Sequence, residues 1–231
     1  MKQEKVLIIG NKPYHNININ KVLDSFNEIY RFNMAFVGKN NGTKFGKLAL
    51  CSHMYERFVK NHIQREHIIK YYGHEMNPDF LYDWYDFFQK NKHNFDEIFY
   101  EKNNNWSKWN HMLKEYGSPH KFSRMASSGF STIFRNLSNN REVYVFGFTL
   151  CDEEIRKTDG EKKEVSVNKN QGKGTHSFTD ERKILAWLHN NKKLDATLCM
   201  LEDTKNINLK PNSFNTKPTE FVLNLLKQDE R

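Results

Sequence analysis

Apolar positions along the chain follow two alternating patterns. Residues 5–10, KVLIIG, form a short unbroken apolar run closed by Gly-Asn, which predicts a strand buried on both faces and then a tight turn. Residues 28–32 (EIYRF) and 47–51 each end at a small or polar residue and predict two more strands. From 54 to 72 the spacing becomes helical, with Tyr55, Phe58, Val59, His62, Ile63 and Ile69 close to one face. Pro78 suits a first helical position, and Phe80, Leu81, Trp84, Phe87 and Phe88 give that segment a wide aromatic face. Residues 95–100 fit a short strand or a loop. Residues 106–116 predict a helix stopped by Gly117-Ser118-Pro119. Ser127-Ser128-Gly129 opens another helix, to about Leu137, and 142–148 (EVYVFGF) is the clearest strand of the second half. Residues 175–190 predict a helix, 194–201 (LDATLCML) a strand, and 220–226 a short amphipathic piece.

Between 151 and 174 neither pattern holds. The stretch CDEEIRKTDGEKKEVSVNKNQGKG is charged, has few large apolar residues, and reads as a mobile surface loop that could act as a lid. Strands alternating with helices predict an α/β fold with a mainly parallel sheet flanked by helices. The whole chain, 1–231, is expected to form one domain, with the helical, aromatic-rich middle segment (about 54–116) as a cap over the sheet. Ligands of such sheets bind beyond the carboxyl ends of the strands, which directs attention to Asn11, Asn33, Ser52, Thr149 and Cys151.

Composition narrows the class. With 231 residues, 37% hydrophobic and 14% aromatic, the chain can bury a sizeable core and is not a disordered one. No apolar run approaches the length of a membrane span, and no signal-peptide core follows the basic start, so a cytoplasmic location is expected. Three cysteines, Cys51, Cys151 and Cys199, are too scattered for a disulfide framework or a CxxC zinc site. The net charge of +8 fits partners that carry phosphate, sialic acid or acidic lipid, including peripheral contact with an anionic inner-membrane surface. It also fits a solvated surface. No nucleic-acid-binding module is visible, and nucleic acid is not an expected partner.

Three short blocks carry candidate chemistry. Gly10-Asn11 follows the first strand, where glycine lets backbone N–H groups approach a phosphate and asparagine can bond a base or ribose; alone it is also an ordinary turn. It belongs to no GxGxxG or Walker A pattern. Ser127, Ser128 and Gly129 at a helix start offer N–H donors and a positive dipole end, and equally an ordinary N-cap. His176 precedes a helix that Thr175 or Ser177 can cap and whose first turn holds Asp180 and Glu181. A neutral imidazole there could serve as general base. Asp83/Asp86 and Asp152/Glu153 invite a metal but make no D-x-D after a strand, so no metal is expected. His62 and His67 read as surface or packing residues, and Trp106 and Trp109 as core.

Taken in order, these blocks resemble sialyltransferases. VLIIGNKPYHNININKVLDSFNEIYRFNMA is similar to the large sialyl motif of glycosyltransferase family 29, a strand, Gly-Asn, a variable stretch and a strand ending Arg-x-Asn, here Arg31-Phe32-Asn33. SSGFSTIFRNLSNNREVYVFGF resembles the small sialyl motif, and HSFTDE the very short motif of His, four residues, then Glu. The bacterial family 42 is similar in plan, with a Gly-Asn-x-Pro opening like Gly10-Asn11-Lys12-Pro13. The resemblance implies a modified Rossmann-type, GT-A-like sheet and metal-independent, inverting transfer from a CMP-activated acid sugar to a glycan or lipid-linked glycan acceptor. It implies no cofactor, the CMP-sugar being the donor substrate. It implies that Gly10, Asn11 and Asn33 meet the nucleotide, that Ser127, Ser128 and Gly129 hold the donor, and that His176 is the general base; Glu181 is expected to support the helix start. The tyrosines that family 42 places after the Gly-rich strand end are replaced here by Thr149-Leu150-Cys151, and the stretch before His176 differs from the His/Tyr motif of family 29. The alternatives are a CMP-Kdo transferase of the same fold and a non-catalytic nucleotide- or nucleic-acid-binding protein.

Overall fold

A five-residue run such as KVLII can bury every side chain only if both faces of its sheet are covered. In the computed structural model, which describes residues 4–10, 20–32, 47–51, 70–74, 97–98, 105–148, 155–156, 165–166, 176–199 and 220–229, that condition is met. Strand β1 (Lys5–Ile9) alternates strictly: Val6 and Ile8 join one core cluster, Leu7 and Ile9 the other. It lies between β2 (Glu28–Phe32) and β6 (Glu142–Phe146), parallel to both. Beyond β2 come β3 (Lys47–Cys51), β4 (Lys70–His74) and β5 (Glu97–Ile98), giving a six-stranded parallel sheet in the order β5-β4-β3-β2-β1-β6. The expected α/β fold with a parallel sheet flanked by helices is therefore observed.

One face carries α2 (Asn105–Glu115), α3 (Ser128–Ser138) and α4 (Phe178–Asn190), which bury Trp109, Leu113, Phe130, Ile133, Phe134, Ile184, Leu185 and Leu188 against Val6, Ile8, Val143 and Val145. The other face carries α1 (Asn20–Asp24) and α5 (Glu220–Asp229), through Val22, Leu23, Phe26 and Val222. Helix α3 contains Ser, Gly and Thr, all weak helix formers, yet eight of its eleven residues are buried. Tertiary burial, not propensity, holds it.

Several elements differ from expectation. Within the expected strand 194–201, the described residues 194–199 do not make a strand. Asp195 forms a single parallel bridge to Tyr144, and its carboxylate then accepts from the Thr197 N–H at 2.8 Å, which starts a helical turn at 197–199. An aspartate capping the next residues out-competed the β-branched and apolar pattern. The predicted helix over 54–72 ends in strand β4, whose Lys70–His74 pairs with all five residues of β3; residues 54–69 lie outside the described part, as do 75–96. The stretch read as patternless carries β7 (Ile155–Arg156) and β8 (Val165–Ser166), an antiparallel pair too short to show alternation. Helix α1 was not legible in the pattern, and α5 runs beyond the expected 226. No helix of the described residues is long and apolar enough to cross a membrane.

Candidate active site

The strand order defines where a ligand-binding crevice should open. The chain lays down β1 to β5 in one direction, then returns to place β6 on the far side of β1. The order therefore reverses between β1 and β6, and such switch points bind ligands at their carboxyl ends. Gly10 follows β1 and Gly147 follows β6. The Gly10 N–H donates to the Phe146 carbonyl at 2.7 Å, and Gly147 takes a left-handed φ of +70°. A Cβ on Gly10 would lie 2.5 Å from the Gly147 carbonyl oxygen, and one on Gly147 would lie 2.6 Å from the Gly10 oxygen. The two strand exits cross in contact, which only glycine at both positions permits. The space at Gly10, expected to admit a phosphate, is used here for the backbone of Gly147.

Phe148 follows at once. Its ring would meet a Cβ on Gly10 at 3.1 Å and one on Gly129 at 2.9 Å, and it packs edge-on against Phe32 and Phe130. It thus touches the end of β1, the end of β2 and the start of α3. The ring forms a wall of the crevice, a part that the sequence pattern did not single out.

Ser127 is the N-cap of α3, as expected, with extended backbone (φ −67°, ψ 163°) and its Oγ accepting from the Phe130 N–H at 3.4 Å. Its own N–H and hydroxyl donate to the two oxygens of Glu181, at 2.6 and 3.1 Å. Ser128 and Gly129 are the first residues of the helix proper. No described acceptor takes their backbone N–H groups, which point from the positive end of the helix dipole.

His176 stands one residue before the Ser177 N-cap of α4. Its Nδ1 lies 2.8 Å from the Met125 carbonyl oxygen. A carbonyl only accepts, so Nδ1 carries the proton and the neutral ring keeps its basic lone pair on Nε2. Next along α4, the Asp180 carboxylate accepts from the Ser123 N–H at 3.0 Å and from its hydroxyl at 2.5 Å. Burial alone would raise the Asp180 pKa, but the bonds from Ser123 and Ser177 and the charge of Lys183 hold it below the usual carboxylate value. Glu181, 4% exposed, makes the Ser127 contacts. Three successive ties, Ser123 to Asp180, Met125 to His176 and Ser127 to Glu181, lace the α2–α3 connection to the head of α4. Glu181 therefore supports the start of α3 across the site rather than its own helix alone.

Of the residues expected to act together, the structure brings Ser127, Ser128, Gly129 and His176 to one place and joins Gly10 to Gly129 through the Phe148 ring. Asn11, Asn33, Ser52, Thr149 and Cys151 lie outside the described residues, as do Asp83, Asp86, Asp152 and Glu153. Arg31 is wholly buried in β2, and burial lowers its pKa to about 10 against the opposing pull of Asp24, so it stays charged at neutral pH. Among the described residues no three His, Cys, Asp or Glu side chains gather as a metal site requires.

The chain is similar to the crystal structure of an α-2,3-sialyltransferase from Campylobacter jejuni in apo form. The two share 18% sequence identity, the match covers 99% of this chain and 95% of that one, and the TM-score is 0.49. No family model matches the chain. No curated protein matches it either.

Proposed function

We propose that the chain is an inverting, metal-independent glycosyltransferase. It moves sialic acid or a related nonulosonate from a CMP-activated donor to a hydroxyl of a glycan or lipid-linked glycan. The observation that supports this most directly is the lacing of two motif blocks, distant in sequence, at the carboxyl edge of the switch point: the Ser127-Ser128-Gly129 turn and His176. Gly10, near the start of the first block, meets the second through the Phe148 ring beside Gly129, which supports the same reading.

In this reading the acceptor hydroxyl attacks the anomeric carbon of the donor. His176 Nε2 takes the hydroxyl proton, the bond from the anomeric carbon to phosphate oxygen breaks, and CMP leaves with the bonding electron pair. The N–H groups of Ser128 and Gly129, with the α3 dipole behind them, stabilise the departing phosphate. Asp180 and Glu181 position the two halves, and Asn11 and Asn33 complete the nucleotide contacts. The chain works as a single catalytic domain in which the 54–116 segment, expected as a helical cap, instead contributes β4 and β5 to the sheet, and 151–174 closes over the donor to exclude water.

The test is incubation with CMP-sialic acid and with CMP-Kdo, with an acceptor sugar and a chelator present, followed by mass detection of CMP and product. Transfer from CMP-sialic acid is expected. Consumption of CMP-Kdo alone assigns the same chemistry to a different acid sugar, and absence of CMP binding rejects the reading. His176→Ala should lower the transfer rate about 10²- to 10⁴-fold per folded molecule while CMP affinity is kept. If the variant loses melting temperature but keeps its rate, His176 is only a packing residue.

A further inference from the structure

Outside the crevice, the outer side of α2 and the turn after it enclose an open cavity of about 450 Å³. Its lining includes Asn110, His111, Lys114, Ser118, His120 and Lys121, and no acidic side chain. We propose that this basic groove is a docking subsite for the anionic part of an acidic saccharide; as an acceptor subsite it rests on the transferase reading.

The cations sit on a rigid frame. The Asn110 side chain clamps the Phe122 backbone from both sides, donating to its carbonyl at 2.9 Å and accepting from its N–H at 2.7 Å. Helix α2 ends in a left-handed Gly117, with the Ser118 N–H returned to the Leu113 carbonyl at 2.9 Å. The Ser118 hydroxyl then accepts from the His120 N–H at 3.0 Å. The backbone beneath the groove is thus fixed before binding, and the ordering cost falls on the exposed Lys114 and Lys121 side chains. Lys114 and Lys121 have no acidic partner among the described residues, while the nearby Glu115 is engaged with His111 at 3.4 Å. The groove therefore offers two uncompensated ammonium groups among imidazole, amide and hydroxyl groups, which suits a carboxylate or phosphate carried on a hydroxylated ring. Its only aromatic rings are the imidazoles of His111 and His120; no Phe, Tyr or Trp lines it, which makes it a poor platform for a run of stacked bases. It is a recess, not a protruding apolar helix face of the kind that inserts into lipid. The groove is joined to the crevice along the chain: the same connection continues through Ser123, which bonds Asp180, to Met125, whose carbonyl holds His176.

The experiment measures direct binding of 3′-sialyllactose, mannose 6-phosphate and lactose to the full chain and to Lys114→Ala/Lys121→Ala, with melting temperature and CMP affinity taken on the same samples. Binding of at least one anionic sugar about tenfold tighter than lactose is expected, with the preference lost in the variant and CMP affinity and melting temperature unchanged. The two anionic probes separate carboxylate from phosphate recognition. Equal binding of lactose, or unaltered binding by the variant, overturns the proposal. Vesicles of phosphatidylcholine and phosphatidylglycerol form a further arm; capture by these with no saccharide preference assigns the groove to lipid and overturns it too. In turnover, the variant should raise acceptor KM about tenfold and leave kcat and donor KM unchanged. An enzyme that transfers no sugar sinks the transferase reading, while the binding arms still decide the groove.

Discussion

At the residue scale, Gly129 shows two effects of opposite sign. It is the second residue of helix α3, where alanine is favoured over glycine by at most about 1 kcal/mol. The same methyl group would press on the Phe148 ring at 2.9 Å, and that ring is backed by Phe32, Phe130 and the Gly10 turn. Overpacking of this kind costs about 1–3 kcal/mol, so the clash should win. Gly129→Ala is expected to lower the unfolding free energy by about 1 kcal/mol. In a Phe148→Leu background the clash is relieved, and the same substitution should turn neutral or stabilising. Denaturant melts of the four proteins in the cycle decide it; additive single and double effects would disprove the coupling. This pairing could not be read from sequence, where Ser-Ser-Gly looks like a cap and Phe148 like the last residue of a strand.

At the element scale, the three helices on one face finish alike. Helices α2, α3 and α4 are each followed by a left-handed residue: Gly117 at φ +79°, Asn140 at φ 57° and Lys192 at φ 55°. Each hands the next N–H back to a carbonyl of the last turn: Ser118 to Leu113, Arg141 to Asn136, Lys193 to Leu188. Glycine and asparagine adopt this conformation readily, whereas lysine does so at a cost of about 1–2 kcal/mol. Glycine loses more freedom on folding, which offsets part of the gain. Lys192→Gly should therefore raise stability by up to about 1 kcal/mol, with a melting temperature a few degrees higher. A lower melting temperature would show that the lysine side chain contributes more than the backbone strain takes away. The stop after α2 was legible because Gly117-Ser118-Pro119 spells it. The stop after α4 was also placed where it falls, at Asn190, although no glycine or proline marks it and the left-handed residue there is Lys192. The strand expected at 194–201 fails over its described residues because the Asp195 cap acts through a side-chain bond that hydrophobic periodicity does not register.

At the scale of the whole molecule, the amino edge of the sheet is tied by a single carboxylate. Glu28 in β2 accepts from Lys47 of β3 at 2.6 Å, from the Tyr30 hydroxyl at 2.7 Å and from Arg141, just before β6, at 2.7 Å. Arg141 also pairs with Glu4 at 3.1 Å and bonds the Asn136 side chain at 3.0 Å. Burial would raise the Glu28 pKa, but these donors and the Lys47 charge outweigh it and lower the value to about 2. A carboxylate with a depressed folded pKa contributes stability that is complete above its unfolded pKa, near 4.5, and disappears as pH falls toward 2. The 11% exposed side chain limits screening, and the contribution at neutral pH is up to about 3 kcal/mol. Glu28→Gln should be clearly less stable than the parent at pH 7, and the two should converge as pH approaches 2. Urea melts across that range provide the measurement, and a gap that stays constant with pH would count against the network. The network joins β2, β3 and the approach to β6, so its loss should destabilise the sheet as a unit and not one strand.

The sequence by itself determined the parallel α/β class, strands β1, β2, β3 and β6, helices α2, α3 and α4, and the turns that cap α3 and α4, leaving the cap of α4 open between Thr175 and Ser177. These are local matters: an apolar run, a helical repeat or a hydroxyl before a helix carries its own physical signal within a few residues. The nomination of Ser127, Ser128, Gly129 and His176 was also local, since each sits at the end of a legible element. Tertiary structure alone decided the strand order, and with it the switch point between β1 and β6. It alone set Gly10 against Gly147, placed Phe148 between two glycines, and turned the acids of α4 onto Ser123 and Ser127. Glycine, phenylalanine and glutamate look the same in sequence whether they face solvent, a ligand or another backbone. Contacts between residues far apart in the chain depend on how the sheet assembles, and no short stretch of sequence encodes that.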